Sequence, residues 1–483
     1  MNFFSSADLI TALPLVFLTV WACILLLVAA FAGQRQGLVP ALSLAGLLGT
    51  AYLLVSQMGL QADAFGGMFV TDGFSTFINI VLILGGVLSV ALSYDYLKRM
   101  EIAKPEYYVL MLFSISGMML MASAADLIVV FLALELLSIP LYVLAGIARG
   151  NLRSEEAGLK YFLLGAFASG FLVYGIALVY GATGTTLLSG VVAAASAGLE
   201  YPIYLVLGAG LILVGLGFKV AAVPFHMWTP DVYDGSPTSV TAFMAVGAKA
   251  AGFAALLRIF VSAFPSISEQ ITPVLYVMCA ATLIIGNLLA IAQSNVKRML
   301  AYSSISHAGF ILMALVAYGN DAARFDVVSS ALFYLLAFTF ASFGSWAVVM
   351  SLEKSLGRGL EFKDYAGLFR RSPGLAMAML VFMLSFAGVP PTLGFAGKFY
   401  LFRAVLEGGY VWLAIVGVVA SLISAYYYLR LIVVMFMQEG EPEVARVPAL
   451  GITAAVTAVA SVVLFIFSGP LFAWASQALL RIF

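Results

Sequence analysis

From its first residues the chain alternates long apolar runs with short polar stretches. A helix that crosses hydrocarbon needs about 20 mainly apolar residues, because an unpaired backbone amide cannot be left in lipid. Breaks at charge, proline and glycine clusters predict about fourteen such helices on that spacing. They cover residues 11–33, 38–57, 74–95, 107–122, 126–147, 161–181, 203–226, 237–262, 271–292, 298–318, 327–352, 373–404, 410–437 and 449–478. The stretch 183–200, small residues closed by Glu200, is too weak to span and is expected to be a loop. The first run is long enough to cross, and Met1–Ile10 carries no lysine or arginine, so a retained first helix is expected, not a cleaved signal. The expected fold is an all-α polytopic membrane protein.

Composition agrees. Of 483 residues 63% are hydrophobic and 10% charged, against about 25% charged in soluble domains. The main surroundings are therefore a lipid bilayer. Net charge is zero and no basic tail is present, so no nucleic-acid partner is expected. Cys23 and Cys279 lie far apart inside apolar runs, which offers neither a CxxC pair nor metal-ligand spacing. Gly208, Gly210 and Gly215 have the wrong spacing for a dinucleotide loop and lie within a span. No redox cofactor and no metal is expected in this chain.

Basic residues set the orientation. With the N-terminus outside and the helices alternating, the inner loops collect Arg35, Lys98, Arg99, Lys104, Arg149, Arg153, Lys160, Lys297, Arg298, Lys354, Arg358, Lys363, Arg370, Arg371, Arg430 and Arg446. Four fall outside: Arg258, Arg324, Arg403 and Arg481. Both termini are then expected on the outer side.

Three lysines fit neither group. Lys219 lies in GLILVGLGFKVAAVPF, Lys249 in TAFMAVGAKAAGFAALL and Lys398 in PPTLGFAGKFYLF, each within an apolar span. Glu135, in DLIVVFLALELLSIP, is an acid near the middle of a span. A charge at that depth costs about 2.5–3.5 kcal/mol on insertion scales. Each group is therefore expected to face protein or internal water. Snorkelling to the headgroups accounts for Arg258 and Arg430; it does not account for Lys249, which long apolar stretches flank on both sides. Desolvation and an acidic neighbour pull a lysine's proton affinity in opposite directions. A Glu135–Lys219 pair could thus load and release a proton as its partner moves, and a row of such groups bridged by water is a proton path.

Proline placement adds to this. Pro224 follows Lys219, and Pro390 and Pro391 precede Lys398. An internal proline removes a backbone hydrogen bond, which a membrane tolerates only where the gap lines protein or a cavity. Paired interruptions predict two inverted five-helix repeats, helices 4–8 and 9–13, with helices 7 and 12 broken. The expected divisions are 1–105, 106–265, 266–440 and 441–483. His226 and His307, the only histidines, could extend the path, since histidine titrates near neutral pH; a hydrogen-bonded histidine without that role is the alternative.

The block GFKVAAVPFHMWTPDVYDGSPTSVTAFMAVGAKAAGF, with KRMLAYSSISHAGF and GVPPTLGFAGKFYLF after it in order, resembles the proton-translocating antiporter-like subunits of respiratory complex I. The likeness is strongest over about 105–435. The lysine in the twelfth span sets the chain apart from that family's subunit-M branch, which carries glutamate there. No long lateral helix of the subunit-L kind is visible after the last span. The one departure is SPTS at Ser236–Ser239, where APTP is the family wording, which bears on loop geometry. The resemblance implies a non-redox subunit of a bacterial inner-membrane NADH:quinone oxidoreductase, with other membrane-arm subunits as partners. NADH, FMN, iron–sulfur clusters and quinone would be bound elsewhere in that complex. It also implies roles: Lys219 as a load switched by Glu135, Lys249 as central relay and Lys398 as terminal site. The competing class is a subunit of an Mrp-type cation/proton antiporter.

Overall fold

The computed structural model describes residues 5–31, 37–320, 324–478 and 480–481, and of Arg324 and Phe325 the backbone alone. Arg35, the last positions of the first predicted helix and the Arg324 side chain therefore lie outside the described residues. In chain order the helices are α1 (Ser6–Thr11), α2 (Leu13–Phe31), α3 (Leu38–Ser56), α4 (Gly73–Arg99), α5 (Glu106–Ser123), α6 (Leu127–Ala145) and α7 (Leu152–Thr183). Then come α8 (Leu188–Ala197), α9 (Pro202–Val220), α10 (Trp228–Gly235), α11 (Thr238–Phe243), α12 (Lys249–Ala263), α13 (Ser268–Ile291) and α14 (Val296–Val316). The last are α15 (Arg324–Leu352), α16 (Leu368–Arg371), α17 (Pro373–Ala387), α18 (Leu393–Glu407), α19 (Val411–Met437), α20 (Pro448–Ile466) and α21 (Ser468–Gln477). Among the described residues 13 helices are long and apolar enough to cross a membrane, counting α11 and α12 as one. The shorter α17 and α18 make a further, broken crossing.

Local chemistry places the ends. Asp72, Asp126, Asn151 and Asn295 cap α4, α6, α7 and α14 by accepting from first-turn amides. Proline opens α9, α17 and α20, where its missing N–H is no loss. Asn151 also explains why α7 starts at Leu152 and not at the predicted 161: the cap allows two polar turns, so Arg153 and Lys160 stand on a helix, not in a loop.

The helices differ in what surrounds them. The α11–α12 crossing is buried throughout, and α14 and α15 nearly so, whereas α2, α3, α7, α19 and α20 turn most of their length outward. A small antiparallel hairpin, β1 (Ala62–Ala64) and β2 (Phe69–Thr71), closes the end opposite the basic loops. Isolated bridges Phe69–Ala124 and Asp126–Leu187 tie it to the α5–α6 turn and the start of α8. The Arg481 backbone amide donates to Asp72, while Phe65 N donates to Asp8. The described chain therefore begins and finishes at this same end.

Four expectations change. The stretch 183–200 forms helix α8, because Leu188 and Val191 bury one side of a turn that is too short to span. The fourteenth run is two helices, α20 and α21, parted at Phe467. Lys297 is not a loop cation: it is 1% exposed inside α14. Arg258 does not snorkel: it is 0% exposed and bound to Asp72. Arg430, half-buried, reaches the end of α13, donating to the Gln293 carbonyl and resting over the Phe362 ring.

The α7–α9 contact carries a prediction. A methyl group added at Gly175 would meet the Gly208 carbonyl, and one at Gly208 would meet the Gly175 carbonyl, at 2.7 and 2.8 Å. The two backbones touch, so neither can yield. Gly208→Ala is expected to push α9 from α7 at a cost of about 1–3 kcal/mol, read as a lower thermal midpoint in detergent. An unchanged midpoint would remove this contact from the reasons α9 sits where it does.

Candidate functional site

The two predicted helix breaks are present, and each is built from satisfied backbone. Helix α9 ends at Val220, where Ala221 takes a left-handed conformation (φ 62°) three residues before Pro224. The carbonyl of Phe218 is met by the amide of Ala221 and by Trp228 Nε1, and the amide of Val223 donates to Thr282 Oγ1. Helix α17 ends on Gly388, whose φ of 83° suits a residue without a Cβ. The chain then passes Pro390 and Pro391 and restarts at Leu393. Ser385 Oγ accepts from the Gly394 amide across the gap. Pro224, Pro390 and Pro391 themselves are exposed.

All three lysines point into protein, at 2%, 3% and 4% exposure for Lys219, Lys249 and Lys398. Lys219 Nζ donates to Ser138 Oγ (2.8 Å) on α6 and to Tyr161 OH (3.1 Å) on α7. Tyr161 stacks on Trp228 with ring centroids 4.5 Å apart, which couples the lysine's partner to the far side of the break. Lys398 Nζ donates to the Ala387 carbonyl (3.1 Å) and to Ser421 Oγ (3.1 Å), and lies 4.3 Å from the centre of the Phe310 ring. Ala387 is the last residue of α17, so the break supplies the acceptor that holds the lysine.

Lys249 sits where the helix changes pitch. Met244–Ala248 form a π-helical turn between α11 and α12, a feature that often accompanies functional positions. Its Nζ donates to both the carbonyl and the hydroxyl of Ser304 on α14. One turn further along α14, His307 bonds Tyr334 OH through Nδ1 (2.6 Å) and Tyr428 OH through Nε2 (3.1 Å). Tyr428 in turn meets Ser303 Oγ at 2.5 Å. His307 lies within electrostatic reach of Lys249 on one side and Lys398 on the other.

Glu135 is placed differently from the expectation of a direct pair. It is half-buried and accepts from Ser169 Oγ at 2.5 Å. Its charge acts on Lys219 through space, and no ion pair within 4 Å joins them among the described residues. Ser138, one turn after Glu135 on α6, makes the contact instead. Leu132 and Ile139, on the turns either side, are exposed, so the carboxylate stands beside the outer apolar wall. His226 is half-buried just past the first break, and its Nδ1 has no hydrogen-bond partner. No contact joins it to the three lysines among the described residues.

Sequence reasoning missed the hydroxyl groups. Ser138, Tyr161, Ser169, Ser304, Ser421 and Tyr428 look like ordinary small or aromatic residues of membrane helices. The one available signal was spacing: Ser138 stands three residues after Glu135 and Ser304 three before His307, on the same helix faces.

The chain as a whole resembles known membrane proteins. Residues 124–424 match the family described as NADH:quinone oxidoreductase/Mrp antiporter, TM. NADH-quinone oxidoreductase subunit N of Chloroflexus aggregans is 45% identical over 98% of this chain and 97% of its own length. A chain of respiratory complex I from Thermus thermophilus, solved with bound aureothin, is 37% identical, covers 95% of this chain and 98% of that one, and superimposes with a TM-score of 0.82. A chain of the Mrp complex from Dietzia sp. superimposes with a TM-score of 0.87 over 97% of each chain, but at 23% identity, which speaks for the fold alone.

Proposed function

The chain belongs to the NADH-quinone oxidoreductase subunit N family, within the antiporter-like membrane subunits, and on that premise we propose that it carries protons across the membrane along the Glu135, Lys219, Lys249, His307 and Lys398 row. The observation that carries this reading is the burial of three lysines and a histidine inside the helices, each with its own polar partner. Each charged or titratable head is held by a hydroxyl or carbonyl of a neighbouring helix, and none faces lipid except the rim of Glu135.

The chemistry of each step is a proton passed between a lysine amine and a hydroxyl or imidazole. Glu135, as an anion, favours the ammonium form of Lys219. If Glu135 loses its charge or its partner changes, Lys219 releases its proton towards Lys249. Lys249 hands it through Ser304 and His307, and Lys398 completes the path. Tyr161 and Trp228 link the head of Lys219 to the segment beyond the first break, so a shift of α10 alters the grip on that lysine. Redox work with NADH, FMN, iron–sulfur clusters and quinone is assigned to other subunits, and quinone reduction there supplies the drive. The halves 106–265 and 266–440 are taken as the two inverted repeats, with 1–105 and 441–483 as additions. The end bearing the hairpin and the C-terminus is taken as the outer, periplasmic face of a bacterial inner membrane. The lysine-rich loops then lie inside.

The test is Glu135→Gln and Lys219→Ala in the assembled complex in proteoliposomes. Both are expected to lower proton uptake per NADH oxidised by severalfold while quinone reductase activity under an ionophore persists. Pumping per quinone that stays unchanged in both would refute the switch pair.

A further inference from the structure

One group of buried ionisable side chains is not used by this row. It lies at the basic end, where α4, α14, the start of α11 and the loop after α15 meet. Lys297, 1% exposed, donates from Nζ to the Ser236 carbonyl at 2.6 Å. Glu353, 2% exposed, accepts from Tyr96 OH at 2.9 Å and from the Gly357 amide at 3.1 Å. Arg99 closes the group by donating to the Glu353 carbonyl at 3.1 Å. Glu353, Asp234 and Arg153 all act on the Lys297 charge.

Two further features give this group a direction. On its outer side, Arg153, Lys160, Asp231, Asp234 and Arg298 line a cleft of about 200 Å³ at the basic end. On its inner side, Lys297 and Ser304 are seven residues apart on α14. That is two turns along one face, about 10.5 Å of rise, and Ser304 is the residue that holds Lys249. Tyr233 lies beside both ends: Ser304 acts on its hydroxyl, and three residues on, the Ser236 carbonyl holds Lys297. Several buried polar atoms here lack a protein partner, among them Ser236 Oγ, Tyr365 OH, Asp234 Oδ1 and Arg99 Nε. Buried polar atoms are rarely left unpaired, and a polar space of this kind is one that water occupies.

We infer that Lys297, poised between Glu353 and the Asp234 cleft, is the intake residue that feeds protons from the basic face through Tyr233 and Ser304 to Lys249. In each transfer the Lys297 ammonium gives its proton along the hydroxyls to the neutral Lys249 amine. The Lys297 amine then takes a proton from a hydronium ion entering the cleft from the aqueous phase, which becomes water, and no other bond changes. The inference rests on the relay reading above, since it needs Lys249 as acceptor.

The experiment compares Lys297→Met, Lys297→Arg, Tyr233→Phe and Lys249→Met in the intact complex in proteoliposomes, scoring proton uptake per NADH oxidised beside assembly and ionophore-released quinone reduction. Arginine keeps the charge and the donor to Ser236 but does not give up its proton. The expected result is that Lys297→Met and Lys297→Arg fall to the level of Lys249→Met, with Tyr233→Phe between them and the parent. Rescue by Lys297→Arg would make the residue a static cation and overturn the inference. Full pumping in Lys297→Met beside a loss in Lys249→Met would overturn it while leaving the relay intact. Full pumping in Lys249→Met as well would bring down both. If Lys297→Met fails to assemble, the arginine and phenylalanine variants decide between the same outcomes.

Discussion

Lys249→Met is expected to slow proton transfer through this chain about 150-fold without preventing its assembly. Methionine matches the length of the lysine stem and suits a fully buried helix, so packing around the π-helical turn is retained. What disappears is the amine bonded to Ser304, the group proposed to hand on a proton from the Lys219 side. A proton crossing that interval without an amine faces a charge penalty of about 3 kcal/mol on insertion scales. Each 1.36 kcal/mol is a factor of ten in rate, which gives the stated loss. The measurement is proton uptake in proteoliposomes driven by NADH oxidation, with uncoupled quinone reduction as control. Lys249→Arg is expected to remain defective although its charge is kept, because guanidinium does not release its proton. Pumping restored by arginine would mean that the position needs a charge and not a transferable proton.

Arg258→Met is expected to destabilise the protein by about 3–5 kcal/mol, the usual cost of removing one partner of a buried ion pair. The guanidinium donates to both Asp72 oxygens at 3.0 Å and to the Ala122 carbonyl at 2.9 and 3.0 Å. Asp72 also caps α4 and accepts from the Arg481 amide. Without the arginine the carboxylate is left buried and charged, and the α5 end, the hairpin and the C-terminal stretch lose their common tie. Adding Asp72→Asn is expected to recover most of the loss. Asparagine still caps Ser75 through its oxygen, and no uncompensated charge remains. A double-mutant cycle read by thermal unfolding in detergent measures this coupling. An Arg258→Met midpoint equal to the parent's would mean that the side chain reaches the surface after all.

That arginine marks how far the sequence could be read. Spacing from a helix end made Arg258 look like a snorkelling residue, and the same reading put Lys297 in a loop. Both conclusions treated position along the chain as position in the membrane. The partners that reverse them, Asp72 for Arg258 and Ser236 with Glu353 for Lys297, are remote in sequence and become neighbours only when helices pack. The same limit applies to Glu135 and Lys219. Sequence could not show whether their helices meet; they do, but Ser138 and Ser169 take the direct contacts, because side-chain reach across two packed helices is set to within an ångström by the packing.

What the sequence determined by itself is what the bilayer enforces on every residue. Hydrocarbon excludes unpaired amides and lone charges, so the length of the apolar runs fixed the crossings. The prolines fixed the breaks at 220–224 and 388–392. Lys219, Lys249, Lys398 and Glu135 stood out as groups too expensive to be there without a use. These are one-dimensional constraints, legible one helix at a time. Tertiary structure alone decided which hydroxyl, carbonyl or ring each head meets, that α8 is a helix, and that a π-turn precedes Lys249. Those outcomes depend on contacts between helices far apart in the chain, where many arrangements satisfy the same apolar pattern and only close packing selects one.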